Sequence, residues 1–259
     1  MNQKQLYPMI FKRKSFHFFK DRQGSFVTEK ISVQELNAIE ENWQKFTPLM
    51  EDIKTEIRIV RQEETTFKRG AEYCVLFYSE KKDNYLQNIG YLGEQLDLYL
   101  ASINIGALWY GIGKVKENMY HGLDYVIMIG IAKVPEEKFR KNMFKSKRKK
   151  LEEIWQGDVY QEIGNIVRFA PSACNTQPCL VEATQKELKV YRYKKPGKRG
   201  IMPAEKVAHY NRIDIGIFLL FLEVCLAEQN LVFERQLLGN DTDDAVEKML
   251  VAVYRDDEK

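Results

Sequence analysis

The chain has 259 residues, 44% of them hydrophobic and 30% charged, with a formal net charge of +3. That length buries a sizeable core, as one large domain or as two closely packed halves, and so small an excess of charge excludes nucleic-acid binding driven by net charge alone. In chain order, Leu6–Phe19 reads as a short helix with Leu6, Met9, Ile10 and Arg13 on one side, ending in a basic, aromatic patch. Ser32 suits the N-cap of a helix over Val33–Phe46, with Glu35 placed to complete a capping box and Thr47–Pro48 to end it. Glu56–Arg61 and Glu72–Tyr78 are rich in β-branched or aromatic residues and read as strands. Leu92, Leu96, Tyr99, Leu100 and Ile103 recur at helical spacing, so Gly90–Ile105 is expected to be a helix with Gly106 as its C-terminal glycine. The apolar run Tyr125–Ala132 suits a buried strand.

The second half follows a similar order. Asp158–Phe169 is expected to be helical, with Pro171 ending it, since proline lacks an N–H and clashes one turn back. Cys179–Thr184 and Glu187–Tyr193 read as strands, Arg212–Gln229 as a long apolar helix, and Ala245–Leu250 leads into a last strand, Leu250–Tyr254. The order helix, strand, strand, helix, strand thus occurs twice, and the helices around Gly90–Leu108 and Arg212–Val232 match locally. The expectation is an α+β chain of two divergent repeats, residues 1–150 and 151–259, packed as a two-fold dimer would be. Seven cations, Arg140, Lys141, Lys145, Lys147, Arg148, Lys149 and Lys150, crowd the junction, either as a solvated face or as a phosphate contact.

The cysteines, Cys74, Cys174, Cys179 and Cys225, have no metal-binding spacing, so no metal is expected. Met1–Ile10 has no apolar signal core, and Ile213–Leu222 is interrupted by Asp214 and Gly216 and is too short to span a bilayer. A cytoplasmic setting with reduced thiols and no membrane partner is the default.

Three motifs carry the chemistry. Arg168–Pro178 places Pro171, Ser172, Ala173, Asn175, Thr176 and Gln177 after an apolar helix, hydroxyls and amides able to read a flat polar heterocycle through donor and acceptor pairs. Arg13-Lys14-Ser15 sets two cations and a hydroxyl in three residues, a compact anion site. Leu108-Trp109-Tyr110-Gly111-Ile112-Gly113 reads as a glycine-bearing turn that allows close backbone approach. The first motif resembles the Ala-Pro-Ser-x-x-Asn-x-Gln-Pro-Trp signature of FMN-dependent nitroreductases. The second resembles that family's opening Arg-Arg-Ser-Ile-Arg-x-Phe, with His17 at the second basic position, and the third its Gly-Leu-Gly-x-x-Trp-x-Gly-Gly element. The stretch Lys145–Ile154 resembles the family's closing pattern, in which a basic pair before a Leu-Glu-Glu stretch grips the FMN phosphate.

The order is altered, because the Pro-Ser-x-x-Asn element follows the closing pattern instead of preceding the Gly/Trp turn. That arrangement is similar to the small group named putative TM-type nitroreductases, in which a dimer is condensed into one chain. The resemblance implies a nitroreductase-like fold of antiparallel and mixed sheets flanked by helices, and one FMN between the halves. It implies cofactor contacts from Arg13, Lys14, Ser15, His17, Trp109, Tyr110, Gly111, Lys147, Arg148, Pro171, Ser172, Ala173, Asn175 and Gln177. It further implies NADH or NADPH as co-substrate and a small-molecule acceptor such as a nitroaromatic or quinone. The chemistry would lie on the flavin, so no catalytic side chain is named, and the protein would be a monomer mimicking a dimer. Cys179 replaces the family's tryptophan, so packing under the loop must differ. The alternatives are a flavin-binding sensor or store with little turnover, and an interaction protein using its basic patch. No Gly-x-Ser-x-Gly elbow or Gly-x-Gly-x-x-Gly fingerprint supports a hydrolase or a Rossmann site.

Overall fold

Asn2 and Ser32 each open a helix by the same device. The Asn2 side chain accepts the N–H of Gln5 at 3.0 Å, and the Gln5 side chain accepts that of Asn2 at 2.9 Å. Two donors at the start of α1 (Gln3–Lys12) are satisfied in this way. Ser32 and Glu35 form the expected capping box at α2 (Val33–Trp43). The computed structural model describes residues 1–22, 24–27, 29–193, 202–239 and 246–256. The chain divides into two units, Met1–Tyr85 with Leu92–Met143, and Leu86–Tyr91 with Phe144–Lys259.

In the first unit β1 (Lys20–Asp21) and β2 (Gly24–Ser25) form a small antiparallel pair. The main sheet is built from β3 (Thr55–Arg61), β4 (Tyr73–Ser79), β5 (Ile105–Tyr110), β6 (Met119–Tyr120) and β7 (Leu123–Lys133). Its order is β3-β4-β7-β5, antiparallel throughout, with β6 folded back on β7. The central strands are apolar on both faces, and Val126–Ala132 is buried without a break, as its continuous apolar run predicts.

Three expectations in this unit need correction. Helix α1 stops at Lys12 instead of reaching Phe19, because the chain beyond Arg13 is drawn out to the sheet, where Ser15 bridges Ala107. Helix α3 (Tyr85–Ser102) starts before Gly90 and ends before Ile105. The left-handed residue after it is Asn104 (φ 60°) and not Gly106, which lies within β5. A side chain at Gly106 would sit 2.8 Å from the Phe16 ring, so this glycine answers to packing. Finally, Leu108–Tyr110 belongs to β5, and only the residues from Gly111 onward turn.

The second unit holds β8 (Trp155–Gln156), α4 (Gln161–Val167), β9 (Cys179–Ala183), β10 (Glu187–Tyr193), α5 (Val207–Glu228), β11 (Phe233–Leu237) and β12 (Lys248–Asp256). The sheet order is β11-β12-β10-β9-β8, with only the β8–β9 pair parallel. Helix α4 is shorter than Asp158–Phe169, since Tyr160 enters it in the left-handed conformation (φ 53°). Helix α5 begins at Val207, before the expected Arg212, because Val207, Ala208 and Asn211 are also buried. Ala245 lies outside the described residues, and the last strand begins at Lys248. Among the described residues, no helix is long and apolar enough to cross a membrane.

Helix α5 is buried on nearly every side, and the opening turns of α3 cross it with backbones in contact. A Cβ on Gly90 would lie 2.0 Å from the Ile213 carbonyl oxygen, and one on Gly216 1.9 Å from that of Gln87. Further along α5, Glu223 ties three elements together. It accepts from Tyr91 Oη at 2.6 Å, Tyr254 Oη at 2.7 Å and Arg235 Nη1 at 2.6 Å. Glu223→Gln keeps the volume and loses the charge that strengthens these bonds. The expected cost is about 2 kcal/mol, read as a lower urea midpoint with an unchanged slope.

Candidate functional site

The segment after α4 is a tight polar loop. Pro171 is buried, Ser172 is extended, and Cys174, Asn175 and Gln177 all take left-handed backbone (φ 49°, 55° and 49°). Such conformations cost roughly 1–3 kcal/mol each outside glycine and persist only where surrounding contacts hold them. The contacts are present. Ala173 N–H donates to Asp214 Oδ1 at 2.9 Å, Gln177 N–H to Ser172 Oγ at 3.0 Å, and Thr176 Oγ1 to the Ala173 carbonyl at 3.0 Å.

The basic segment closes over this loop. Arg148 Nη1 donates to Asn175 Oδ1 at 2.6 Å, and Asn175 Nδ2 donates to the Lys147 carbonyl at 3.2 Å. Lys149 N–H donates to Gln177 Oε1 at 2.8 Å, and its ammonium to the Gln177 carbonyl at 2.7 Å. Arg168 reaches back to the Lys149 carbonyl at 3.1 Å. Lys147 is exposed, Arg148 half-buried and Lys149 buried. The expected division after residue 150 would have placed these cations in the first half, whereas residues 144–150 fall in the second unit beside the loop.

In the first unit Arg13 is committed elsewhere. Its guanidinium is buried, donates to Asp97 Oδ2 at 2.8 Å and to Ser15 Oγ at 3.1 Å, and lies 3.4 Å from Glu94. Burial opposes its charge, but Asp97 and Glu94 outweigh that and hold its pKa above the ordinary value. Burial also pushes Glu94 well above the usual carboxylate range, against the pull of Arg13. Asp97 and Ser15 thus engage the Nε and Nη2 donors of Arg13.

Lys14 is exposed and donates to the Lys138 carbonyl at 2.9 Å. Partial burial, together with Lys138 and Arg140, draws its pKa below the ordinary value. His17 is exposed. Trp109 stacks on Phe77 with centroids 5.8 Å apart and donates Nε1–H to Glu94 at 3.2 Å, and Tyr110 lies edge-on to Phe67. Gly111 opens the turn after β5.

Two residues at the loop escaped the sequence reading. Lys149 was one cation among seven, and its bonds to Gln177 follow from no spacing. Asp214 did leave a signal, since a carboxylate inside the apolar run Ile213–Leu222 needs a reason to be there.

A family profile described as putative TM nitroreductase matches residues 5–225. The chain belongs to that family. A putative nitroreductase from Thermotoga maritima superposes with a TM-score of 0.59 at 17% identity, covering 98% of this chain and 94% of the other. It shares the nitroreductase-like fold. A putative NADH dehydrogenase/NAD(P)H nitroreductase from Parabacteroides distasonis aligns at a TM-score of 0.39 and 14% identity, over 57% of this chain and 95% of its own. A putative NADH oxidase from Clostridium acetobutylicum aligns at 0.39 and 14%, over 56% of this chain and 96% of its own. No curated protein matches. Membership of a nitroreductase family places the chain among oxidoreductases.

Proposed function

We propose that the protein is an FMN-dependent oxidoreductase that takes a hydride from NADH or NADPH and passes it to a small acceptor such as a nitroaromatic or quinone. The observation that carries this reading is the joining of the basic segment to the Pro-Ser-x-x-Asn loop through Arg148–Asn175 and Lys149–Gln177. A phosphate clamp and a ring-reading loop are what a flavin nucleotide requires, and the donor chemistry fits. Lys147 offers an exposed cation to a phosphate, and Arg148 adds a guanidinium charge held in place by its bonds to Asn175 and to the Lys147 and Phe169 carbonyls. Ser172, Asn175 and Gln177, with the loop amides, offer donors and acceptors to a flat heterocycle.

When bound, FMN supplies the two-electron redox chemistry. The chain's part is to hold and orient it, and the left-handed residues of the loop turn backbone amides in directions a regular strand would not. Lys14, Ser15 and His17 remain candidates for the phosphate end, and Trp109, Tyr110 and Gly111 for the ring. The reciprocal approach of Gly90 and Gly216 supports reading the chain as two divergent repeats.

The test is an absorbance spectrum of the purified protein, alone and with added FMN, before and after anaerobic NAD(P)H. Flavin bands near one FMN per chain that bleach with NAD(P)H and recover with an acceptor are the expected result. A protein that stays colourless with FMN in excess refutes the reading. Arg148→Ala is expected to weaken FMN about tenfold or more, the worth of one hydrogen bond from a charged group, as read by flavin fluorescence titration.

A further inference from the structure

We infer that Asp214 is the positioning residue of the Ser172–Gln177 loop, holding it from α5 through the Ala173 amide, and that the hold requires the carboxyl in its neutral form. Asp214 is buried in the middle of α5, and its Oδ1 takes the Ala173 N–H at 2.9 Å. Its Oδ2 is buried with no hydrogen-bond partner and borders a cavity of about 10 Å³ lined by Ser172, Gln177, Pro178, Cys179 and Phe218. That is room for a single water. As a neutral acid Oδ2 carries a proton it can donate to such a water, and as a carboxylate it places an unpaired charge against a largely apolar wall.

The groups facing Asp214 do not relieve that charge. The Cys179 thiol of β9 is pushed well above its ordinary value by burial and by Asp214 itself. Lys149 is bonded to the Gln177 carbonyl, and Arg168, which lines the cavity, donates to Asn165 and to the Lys149 carbonyl. From the loop, the Ala173 amide and Thr176 draw the acid only part of the way down, and burial leaves it at about 8. The folded value is therefore raised above the unfolded one of 3.8. The stability that Asp214 contributes is full below that value and is lost as pH rises toward 8. Above that, the charge must admit water, and the loop that roofs the cavity is where water enters.

The inference rests on the proposed flavin reading for its functional meaning, so the experiment has two arms. In the first, hydrogen exchange of residues 172–177, corrected for intrinsic rates, is followed from pH 7 to pH 9 in the wild type and in Asp214→Asn. Asparagine keeps the acceptor and the volume and cannot ionise. The wild-type segment is expected to open about tenfold more at pH 9 than at pH 7, the linkage accumulating up to the folded value of about 8 and levelling off above it, while Asp214→Asn stays flat. A flat wild-type profile, or a variant that rises in parallel, overturns the inference. In the second arm FMN affinity is measured over the same range. FMN binding with parallel profiles for both proteins removes the positioning role and leaves the flavin reading standing. Failure to bind FMN at any pH, with the exchange profiles diverging as expected, removes the flavin reading and leaves Asp214 as the holder of the loop.

Discussion

Arg13→Met is expected to cost about 4 kcal/mol of folding stability, measured by urea denaturation at pH 7. Arg13 lies between Asp97 and Glu94, and all three are buried. Removing one partner of a buried ion pair leaves an uncompensated charge and typically costs 3–5 kcal/mol. Lysine does not repair it, because the fork that reaches Asp97 and Ser15 together has no counterpart in an ammonium. Glu94→Gln, by contrast, removes a carboxyl whose charge burial disfavours and leaves the Arg13–Asp97 pair in place, so it is expected to cost clearly less than Arg13→Met. The pH dependence has a definite sign. Glu94 is raised above its ordinary 4.5, so its contribution to stability declines as pH climbs from there. Without Arg13 the carboxyl rises further, and Arg13→Met should lose stability with pH over a wider window than the wild type. A cost under about 1 kcal/mol for Arg13→Met would show that the trio is solvated and would reopen Arg13 as a ligand.

Gly216→Ala is the second large effect, with an expected cost of about 3 kcal/mol. The added methyl would lie 1.9 Å from the Gln87 carbonyl oxygen, and a backbone atom cannot swing away as a side chain can. Gly90→Ala meets the Ile213 carbonyl at 2.0 Å and should behave alike. The double variant is expected to cost clearly less than the sum, because the first methyl already separates the helices. Gly239→Ala, with open space around it, is the control and should stay within about 0.5 kcal/mol of wild type. Additive costs in the double variant would mean that the two glycines do not share one crossing.

What could be read from the chain divides along physical lines. Local signals held. The Ser32–Glu35 box, the aromatic and β-branched runs of β3 and β4, and the apolar run of β7 lie where they were expected, since each is determined within a few residues. Strand β11 was invisible. Its alternation of half-buried and exposed residues in Phe-Glu-Arg-Gln-Leu gives no clear apolar face, and it exists by pairing with β12. Gly106 was misread because a glycine at the end of an apolar period has two explanations, and only the Phe16 ring decides between them. The nitroreductase-like fold was legible through its motifs, and family membership followed. The loop residues Asn175 and Gln177 were picked out from their motif, but their engagement with Arg148 and Lys149 depends on contacts that no spacing encodes. Arg13 was picked out as well, and its burial against Asp97, on a helix far along the chain, could not be foreseen.

The strand order of the second sheet has a consequence for how the protein is made. β12 lies between β10 and β11, although it is translated after both. As the chain leaves the ribosome, β11 emerges before the strand it pairs with, and β10 waits with one edge open. Exposed edges of that kind recruit other chains. Nascent chains stalled before Lys248 should therefore hold the second unit unfinished and be good clients for chaperones, whatever the state of the first.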